Sequence, residues 1–412
     1  MKISKYKIKD IAKIYNGSTP SSDHPEFYNG DIIWFTPKDL SDQRIKYIEK
    51  GERSITKAGY DSCSTIMIPA GNILMSSRAP IGLLAINKFD CCTNQGFKNL
   101  VVNKERADVE YLYYLLEHNV EYLKRLGGGT TFSEISKSTL EEMQIFLPEL
   151  SEQKRIAKVL TDIDSKIAVN KKINKELEVM AKELYDYWFV QFDFPGSDGK
   201  PYKSSGGKMV YNEVLKREIP EGWEVKKVEN VMNVNRGGSP RPIDDYISDC
   251  GLHWLKISDA TASSSPFILN TKEYILESGL KKTVLMKAGS IVLSNSATPG
   301  MPRILDIDTC IHDGWLYFSK TELSNEFLYL FFLKMRENIV KLANGSIFLN
   351  LKTDVVKDFK MVLPTKAILQ QFDDVIKPIF SQMLNLEKEQ VRLSKMRDEL
   401  LPLLMNGQVS VK

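Results

Sequence analysis

An internal repeat at a period of about 218 residues constrains this chain more than any other feature of its sequence. No solenoid unit is that long, so the repeat is a duplicated domain. Asn16-Gly17-Ser18-Thr19-Pro20 returns as Arg236-Gly237-Gly238-Ser239-Pro240, each after a pair of apolar residues (Ile11 and Ile14; Val231 and Val234). Trp34-Phe35-Thr36-Pro37-Lys38-Asp39 corresponds to Trp254-Leu255-Lys256-Ile257-Ser258-Asp259. Ala70–Ser77 corresponds to Ala288–Asn295, and Asn94-Gln95-Gly96-Phe97 to His312-Asp313-Gly314-Trp315. Gly129-Thr130-Thr131-Phe132 with Pro148 matches Gly345-Ser346-Ile347-Phe348 with Pro364. Any one of these pairs is weak evidence. Their common order, with an offset that barely drifts, is strong evidence.

Each copy reads as mixed α+β. Short β-branched or aromatic runs (Ile32–Phe35, Ile73–Met75, Ile291–Leu293) are bounded by Gly, Pro, Ser and Asn, as strands are. A helix follows in each copy, over Val109–Arg125 and Glu326–Leu342, with leucines near one face.

After each copy the pattern becomes long and helical. From Ser151, a good N-cap with Glu152 in the first turn, to about Val190 there is neither Gly nor Pro. Leu160, Ile163, Ile167, Leu177 and Leu184 lie on a heptad seam, interrupted by Asn170 and Asn174. Ile379, Met383, Leu386, Leu393 and Leu400 form a second seam, interrupted by Gln390 and Arg397. Pro378 predicts a kink or a start there, and Gly407 a stop. Neither stripe can stay in water. Each helix either packs on its own domain or pairs with the other in an antiparallel coiled coil, which a chain leaving domain one and returning through domain two permits.

The divisions are therefore 1–150 (domain one), 151–190 (first long helix), 191–219 (linker loop), 220–365 (domain two) and 366–412 (second long helix and tail). Within the linker, Pro195–Gly207 is rich in Gly, Ser, Lys and Pro and reads as an exposed loop.

Composition narrows the function. No apolar run approaches the roughly 20 residues that span a bilayer, and the Lys-rich N-terminus lacks a secretory h-region. A cytoplasmic protein without membrane contact is expected. The five cysteines form no Cys-x-x-Cys pair and the four histidines are scattered, so no metal site is expected. A net charge of +3 permits nucleic-acid binding without arguing for it.

Motifs for catalysis are missing. There is no Asn/Asp-Pro-Pro-aromatic motif to hold an extruded adenine, no Gly-x-Gly-x-x-Gly loop and no Gly-x-Ser-x-Gly elbow. Gly206-Gly207-Lys208-Met209 lacks the glycine spacing and the Ser/Thr of a phosphate-binding loop. Gly127–Thr131 reads as a contact to a DNA phosphate through backbone amides, or as a plain tight turn.

The layout resembles the specificity subunits of type I restriction–modification systems over essentially the whole chain. The segments that carry the resemblance are Asn16–Pro20 with Trp34–Leu40, Gly127–Phe132, and Leu147-Pro148 running into Glu152-Gln153-Lys154-Arg155-Ile156. Pro220-Glu221-Gly222-Trp223 and Met396–Leu404 complete them, while Leu369-Gln370-Gln371-Phe372 departs from the family's Glu-Gln-Lys type of helix opening. The resemblance implies two target-recognition domains, each reading one half of a split, asymmetric DNA site, and two helices that set the gap between half-sites. It also implies double-stranded DNA, two methyltransferase subunits and restriction/translocase subunits as partners. S-adenosylmethionine, ATP and Mg would then reside on those partners, with no cofactor and no catalysis in this chain. A coiled-coil scaffold that binds only proteins is the competing reading, and an enzyme with an unrecognised site a third. DNA binding in the presence of the methyltransferase, and methylation assays on the lone chain, discriminate them.

Base edges are read by side-chain donors and acceptors, and phosphates by Lys, Arg, hydroxyl and amide N–H groups. On the loops marked by the repeat, domain one offers Thr36, Lys38, Ser77, Arg78, Asn94, Gln95, Thr130 and Thr131. Domain two offers Arg236, Arg241, Lys256, Ser258, Asn295, Ser296 and His312. Each of these is alternatively a solvated loop residue or an intradomain contact. Matching positions carry unlike side chains, which predicts unlike half-sites.

Overall fold

The computed structural model describes residues 3–43, 45–128, 133–342 and 351–411, with side chains throughout except at 338–342. The chain divides into two compact units, residues 1–167 with 392–412, and residues 168–391. Each long helix thus contributes to both units, so the divisions drawn at 150/151 and 365/366 mark changes of secondary structure and not the edges of packing.

In the first unit, one sheet has the strand order Ala12–Asn16, Phe97–Val102, Ile73–Ser76, Leu84–Asn87, Tyr47–Ile48. All neighbours are antiparallel except the last pair. A second sheet pairs Arg53–Ile55, Tyr28–Phe35 and Cys92–Thr93, and a ladder of Ile3–Lys7 with Gln144–Pro148 ties the two ends of the domain together. Ile73–Ser76 is buried along its whole length, which is why it reads as an unbroken apolar run and not as an alternating one.

The second unit repeats this plan. Asn233–Arg236, Trp315–Ser319, Ile291–Ser294, Pro302–Leu305 and Phe267–Ile268 stand in the same order, again with only the last pair parallel. Register repeats too: Ser76 faces Phe97 as Ser294 faces Trp315. The second sheet is extended to Ile247–Ser248, Glu273–Ile275, Leu252–Leu255, Thr309–Ile311 and Val284–Met286, and Glu224–Lys227 pairs with Lys360–Leu363 to tie the ends.

The helix expected over Val109–Arg125 is two helices, Val109–His118 and Val120–Leu126. Asn119 parts them, its side-chain amide donating to the Leu115 carbonyl at 2.7 Å. The helix of domain two runs unbroken over Asn325–Leu342.

The first long helix is Leu150–Tyr185, followed by one wide turn, Asp186–Val190, in which the Gln191 N–H donates to the Asp186 carbonyl. Ser151 lies inside the first turn and is not the cap; the Glu149 carbonyl already accepts the N–H groups of Glu152 and Gln153. The second long helix, Lys366–Met405, passes through Pro378 without the expected break or start. Pro378 falls on its exposed side while Ile376, Ile379 and Phe380 are buried, so core packing holds the helix across the missing N–H. Gly407 ends it as expected, at φ +67, with the Gln408 N–H donating to the Leu403 carbonyl.

Within each unit the helices pair antiparallel, and each end also seals a domain core. In the first unit Ile156 and Leu160 share a core with Leu112, Leu116, Leu404 and Met405, and Arg397 Nη1 lies 3.0 Å from Asp164 Oδ1. In the second unit Tyr185, Trp188 and Phe189 pack on Phe327 and Phe372, and ring centroids of Phe189 and Phe372 are 4.7 Å apart. Asn170 donates to Glu389 at 2.6 Å and Asn174 to Glu387 at 3.3 Å. Of the predicted seam, Leu160, Ile163, Ile167, Ile379 and Met383 are buried, and Leu177, Leu184, Leu386, Leu393 and Leu400 half-buried.

The segment 191–219 is more structured than a linker loop. Pro195–Gly207 is a run of turns, but Met209–Asn212 pairs with Arg217–Pro220 as a hairpin. Phe192 and Phe194 are buried, and Phe194 stacks on both Tyr202 and Trp223 at centroid distances of 4.6 and 4.9 Å. Aromatic surface of that size gains too much by leaving water for the segment to hang free.

Candidate nucleic-acid interface

Three of the loops marked by the repeat converge in each domain on a common hydrogen-bonded frame. Strand Ile73–Ser76 opens into a loop that folds back on Ser76: its hydroxyl donates to the Pro80 carbonyl and accepts the Leu83 N–H, at 2.6 and 2.8 Å. Ser294 does the same in domain two, donating to the Thr298 carbonyl and accepting the Met301 N–H. Both loops turn through an alanine in the left-handed region, Ala79 at φ +46 and Ala297 at φ +56. The Ser77 N–H then reaches the Gly96 carbonyl at 2.8 Å, as the Asn295 N–H reaches that of Gly314 at 2.9 Å.

The neighbouring turns match as well. Asn94 Oδ1 accepts the Gly96 N–H at 2.9 Å, and His312 Nδ1 accepts the Gly314 N–H at 2.8 Å. Gly17 and Gly237 bring the third loop in. A Cβ at Gly17 would stand 2.0 Å from the Asn94 carbonyl oxygen, and one at Gly237 2.3 Å from that of His312, so only glycine allows the approach.

The side chains mounted on this frame differ. In domain one, Arg78 is half-buried, with Nη1 3.8 Å from Glu134 Oε2. Asn94 and Gln95 share the turn, and Gln95 accepts from the Thr19 hydroxyl. Thr36 caps the helix Pro37–Gln43 through Asp39, and Lys38 pairs with Glu52 at 2.9 Å. Ser77 is placed differently from expectation: it is fully buried, its hydroxyl 3.3 Å from Glu134, and it positions the loop. Thr130 and Thr131 lie outside the described residues.

In domain two, Arg236 and Arg241 converge on Asp313, at 3.7 and 3.8 Å. Lys256 pairs with Glu273. Arg241, Lys256, Ser296 and His312 line one cavity of about 530 Å³. Asn295, like Ser77, is buried; its amide donates to the Asp313 carbonyl, which again makes it part of the frame. Ser258 stands apart, exposed in the first turn of the helix Ile257–Thr261. His312 is held below the usual imidazole range, first by burial and also by the nearby Lys256 and Arg236, against the opposing pull of Asp313. The ring is therefore neutral at pH 7, and with Nδ1 accepting, its proton sits on Nε2.

Sequence reasoning passed over three residues that organise these surfaces. Glu134 gathers Lys98 at 3.1 Å with Arg78 and Ser77, and no motif marks it. Asp313 does the same for the two arginines. Gln153, 1% exposed, accepts the Asp108 N–H and donates to the Pro148 carbonyl, both at 2.9 Å, clamping the first long helix to domain one. It lies in the Glu-Gln-Lys-Arg-Ile run, so its signal was present.

The family model of the type I restriction modification DNA specificity domain matches residues 2–179 and again residues 220–393. The chain belongs to that family. The family's doubled match coincides with the two repeats, and the domain, helix, domain, helix order is its plan. The chain is 35% identical to the type I restriction enzyme MjaIX specificity subunit of Methanocaldococcus jannaschii, over 98% of this chain and 93% of that protein. It is 26% identical to the HindI specificity subunit of Haemophilus influenzae, over 73% and 77% of the respective chains. A crystal structure of a type I restriction–modification system S subunit from M. genitalium shares the fold, with a TM-score of 0.63 at 15% identity, over 98% of this chain and 96% of that one. Among the described residues of this specificity-family chain, no cluster of His, Cys, Asp and Glu could hold a metal ion, and no helix is long and apolar enough to cross a membrane.

Proposed function

We propose that the chain reads a bipartite, asymmetric DNA site, one half with each domain, and lends that address to subunits that carry out the chemistry. One observation carries this reading: the same loop frame occurs twice with unlike side chains on it. Arg78 occupies the place of Ser296, and Asn94 that of His312. A conserved mount with variable tips suits a reader of two different half-sites, because base discrimination resides in side-chain donors and acceptors.

The partners that fit are double-stranded DNA, two copies of an adenine methyltransferase subunit, and restriction/translocase subunits. The two long helices support a pair of equivalent docking positions. Met180 and Tyr187 are 41% and 37% exposed, and the residues that the offset of Pro148 to Pro364 sets against them, Met396 and Leu403, are 42% and 36% exposed. An apolar pair shown twice, at equal exposure, suits one protein bound twice. S-adenosylmethionine, ATP and Mg belong to those partners in this reading, and the complex works in the cytoplasm.

Methylome sequencing of cells that express the chain with a cognate methyltransferase subunit tests it. Methylation at one split, non-palindromic site is expected, and no methylation or cleavage by the purified chain alone. A contiguous or palindromic site, or methyl transfer by the lone chain, overturns it.

A further inference from the structure

The cavity in domain two sets apolar walls beside its polar groups. Pro240, Pro242, Ile243 and Ile257 give it apolar walls, with the buried Trp254 among its lining residues. Of the two cations that line it, Lys256 is paired with Glu273, while the largely exposed Arg241 stands 3.8 Å from Asp313. His312 faces it with a donor of fixed position, Nε2–H, because Nδ1 accepts the Gly314 N–H at 2.8 Å; Ser296 and Arg241 line it as well. Among the described residues His312 Nε2 has no hydrogen-bond partner.

An apolar wall beside a fixed neutral donor favours one base edge in the major groove. Guanine shows two acceptors, adenine an acceptor and a donor, and cytosine a donor, and none of these carries an apolar group there. Thymine alone shows an acceptor, O4, next to a methyl group. We propose that this cavity reads a thymine in the half-site of domain two, with the C5 methyl against the Pro240/Pro242/Ile243/Ile257 wall and O4 accepting from His312 Nε2. The proposal rests on the DNA-reading function above and adds to it which base the second domain selects, and how.

Domain one supplies a variant that keeps the fold. Asn94 occupies the place of His312 and accepts the same N–H of the same turn. His312→Asn should therefore retain the turn while moving the donor back to the shorter side-chain amide, away from the place of Nε2. The test uses the complete complex with its methyltransferase subunit. Once methylome sequencing has given the split site, duplexes carrying uracil in place of each thymine of the domain-two half-site are assayed for binding. Uracil keeps O4 and lacks only the methyl. A loss of about fourfold at one position with the natural chain, and a smaller loss at that position with His312→Asn, is the expected result. A domain-two half-site with no thymine on either strand overturns the thymine pocket alone. So does uracil that costs nothing anywhere, or an equal uracil penalty in His312→Asn. A complex that methylates no split site overturns the DNA-reading function itself.

Discussion

Arg78 stands on a loop whose own bonds do not use it, beside a carboxylate that neutralises only part of its charge. Its ion pair with Glu134 is long, at 3.8 Å, while Lys98 makes the closer contact with the same carboxylate at 3.1 Å. Arg78→Ala is expected to cost about 1–3 kcal/mol of specific binding and to relax one position of the first half-site, if the guanidinium pairs bidentately with a base. A loss uniform over sequences, with a shallower dependence on salt, would mark a phosphate contact instead. Binding measured on matched and single-mismatch duplexes at two salt concentrations separates the outcomes. The cysteines give a second check at this scale. Burial raises the Cys91 thiol to about 12 and those of Cys92 and Cys310 to about 11, whereas Cys250 is exposed. At pH 8 an alkylating reagent should label Cys250 first, and mass spectrometry should find Cys91, Cys92 and Cys310 modified only after unfolding. Early labelling of the buried three would mean that the sheets open. Glu134 shows where reading a sequence stops. Its partners Ser77 and Lys98 lie 57 and 36 residues away along the chain, so no local pattern announces it.

At the scale of elements, the long helices were legible because a heptad seam repeats often enough to stand out, and strand existence because short apolar runs sat between turn residues. Boundaries failed where tertiary packing overrode a local signal. Pro378 does not break its helix because Ile376, Ile379 and Phe380 hold it on the core side, and Ser151 loses the cap to the Glu149 carbonyl. The paired helices also make a quantitative expectation. Lys175 adjoins Asn174, which bonds Glu387, and Gln390 lies one turn beyond, so insertions at Lys175 and Gln390 fall at nearly the same level of the pair. One heptad added at both places lengthens it by roughly 10 Å, which is about three base pairs of duplex. Methylome mapping should find both half-sites unchanged and the unspecified spacer longer by about three pairs. An unchanged spacer with efficient methylation would show that the helices do not measure the gap. Met180→Lys and Met396→Lys should each remove one bound methyltransferase subunit, and the double variant both, as read by mass measurement of the purified complex. Full occupancy in the double variant would place the docking surface elsewhere.

For the whole molecule, duplication was the strongest signal in the sequence because it needs no knowledge of the fold: five matching segments in order identify two copies of one domain. What the repeat could not convey was that each compact unit borrows the end of the other domain's helix, since that follows from antiparallel pairing in space. Exchange of residues 1–150 for the first domain of another family member should alter one half-site and leave the other intact, as methylome sequencing would report. A simultaneous change in both halves would refute the modular reading. The loop frame has one more consequence, for how such a protein changes over generations. Ser76 and Ser294, two left-handed alanines and a set of backbone amides hold the loops in shape, while the side chains of Arg78 and Ser296 take no part in those bonds. Substitutions at surface positions away from buried contacts usually alter stability by no more than about 0.5 kcal/mol. Mutation can therefore wander through many tip chemistries without passing through an unfolded ancestor, and a lineage can acquire a new DNA address while its scaffold stays under unchanged selection.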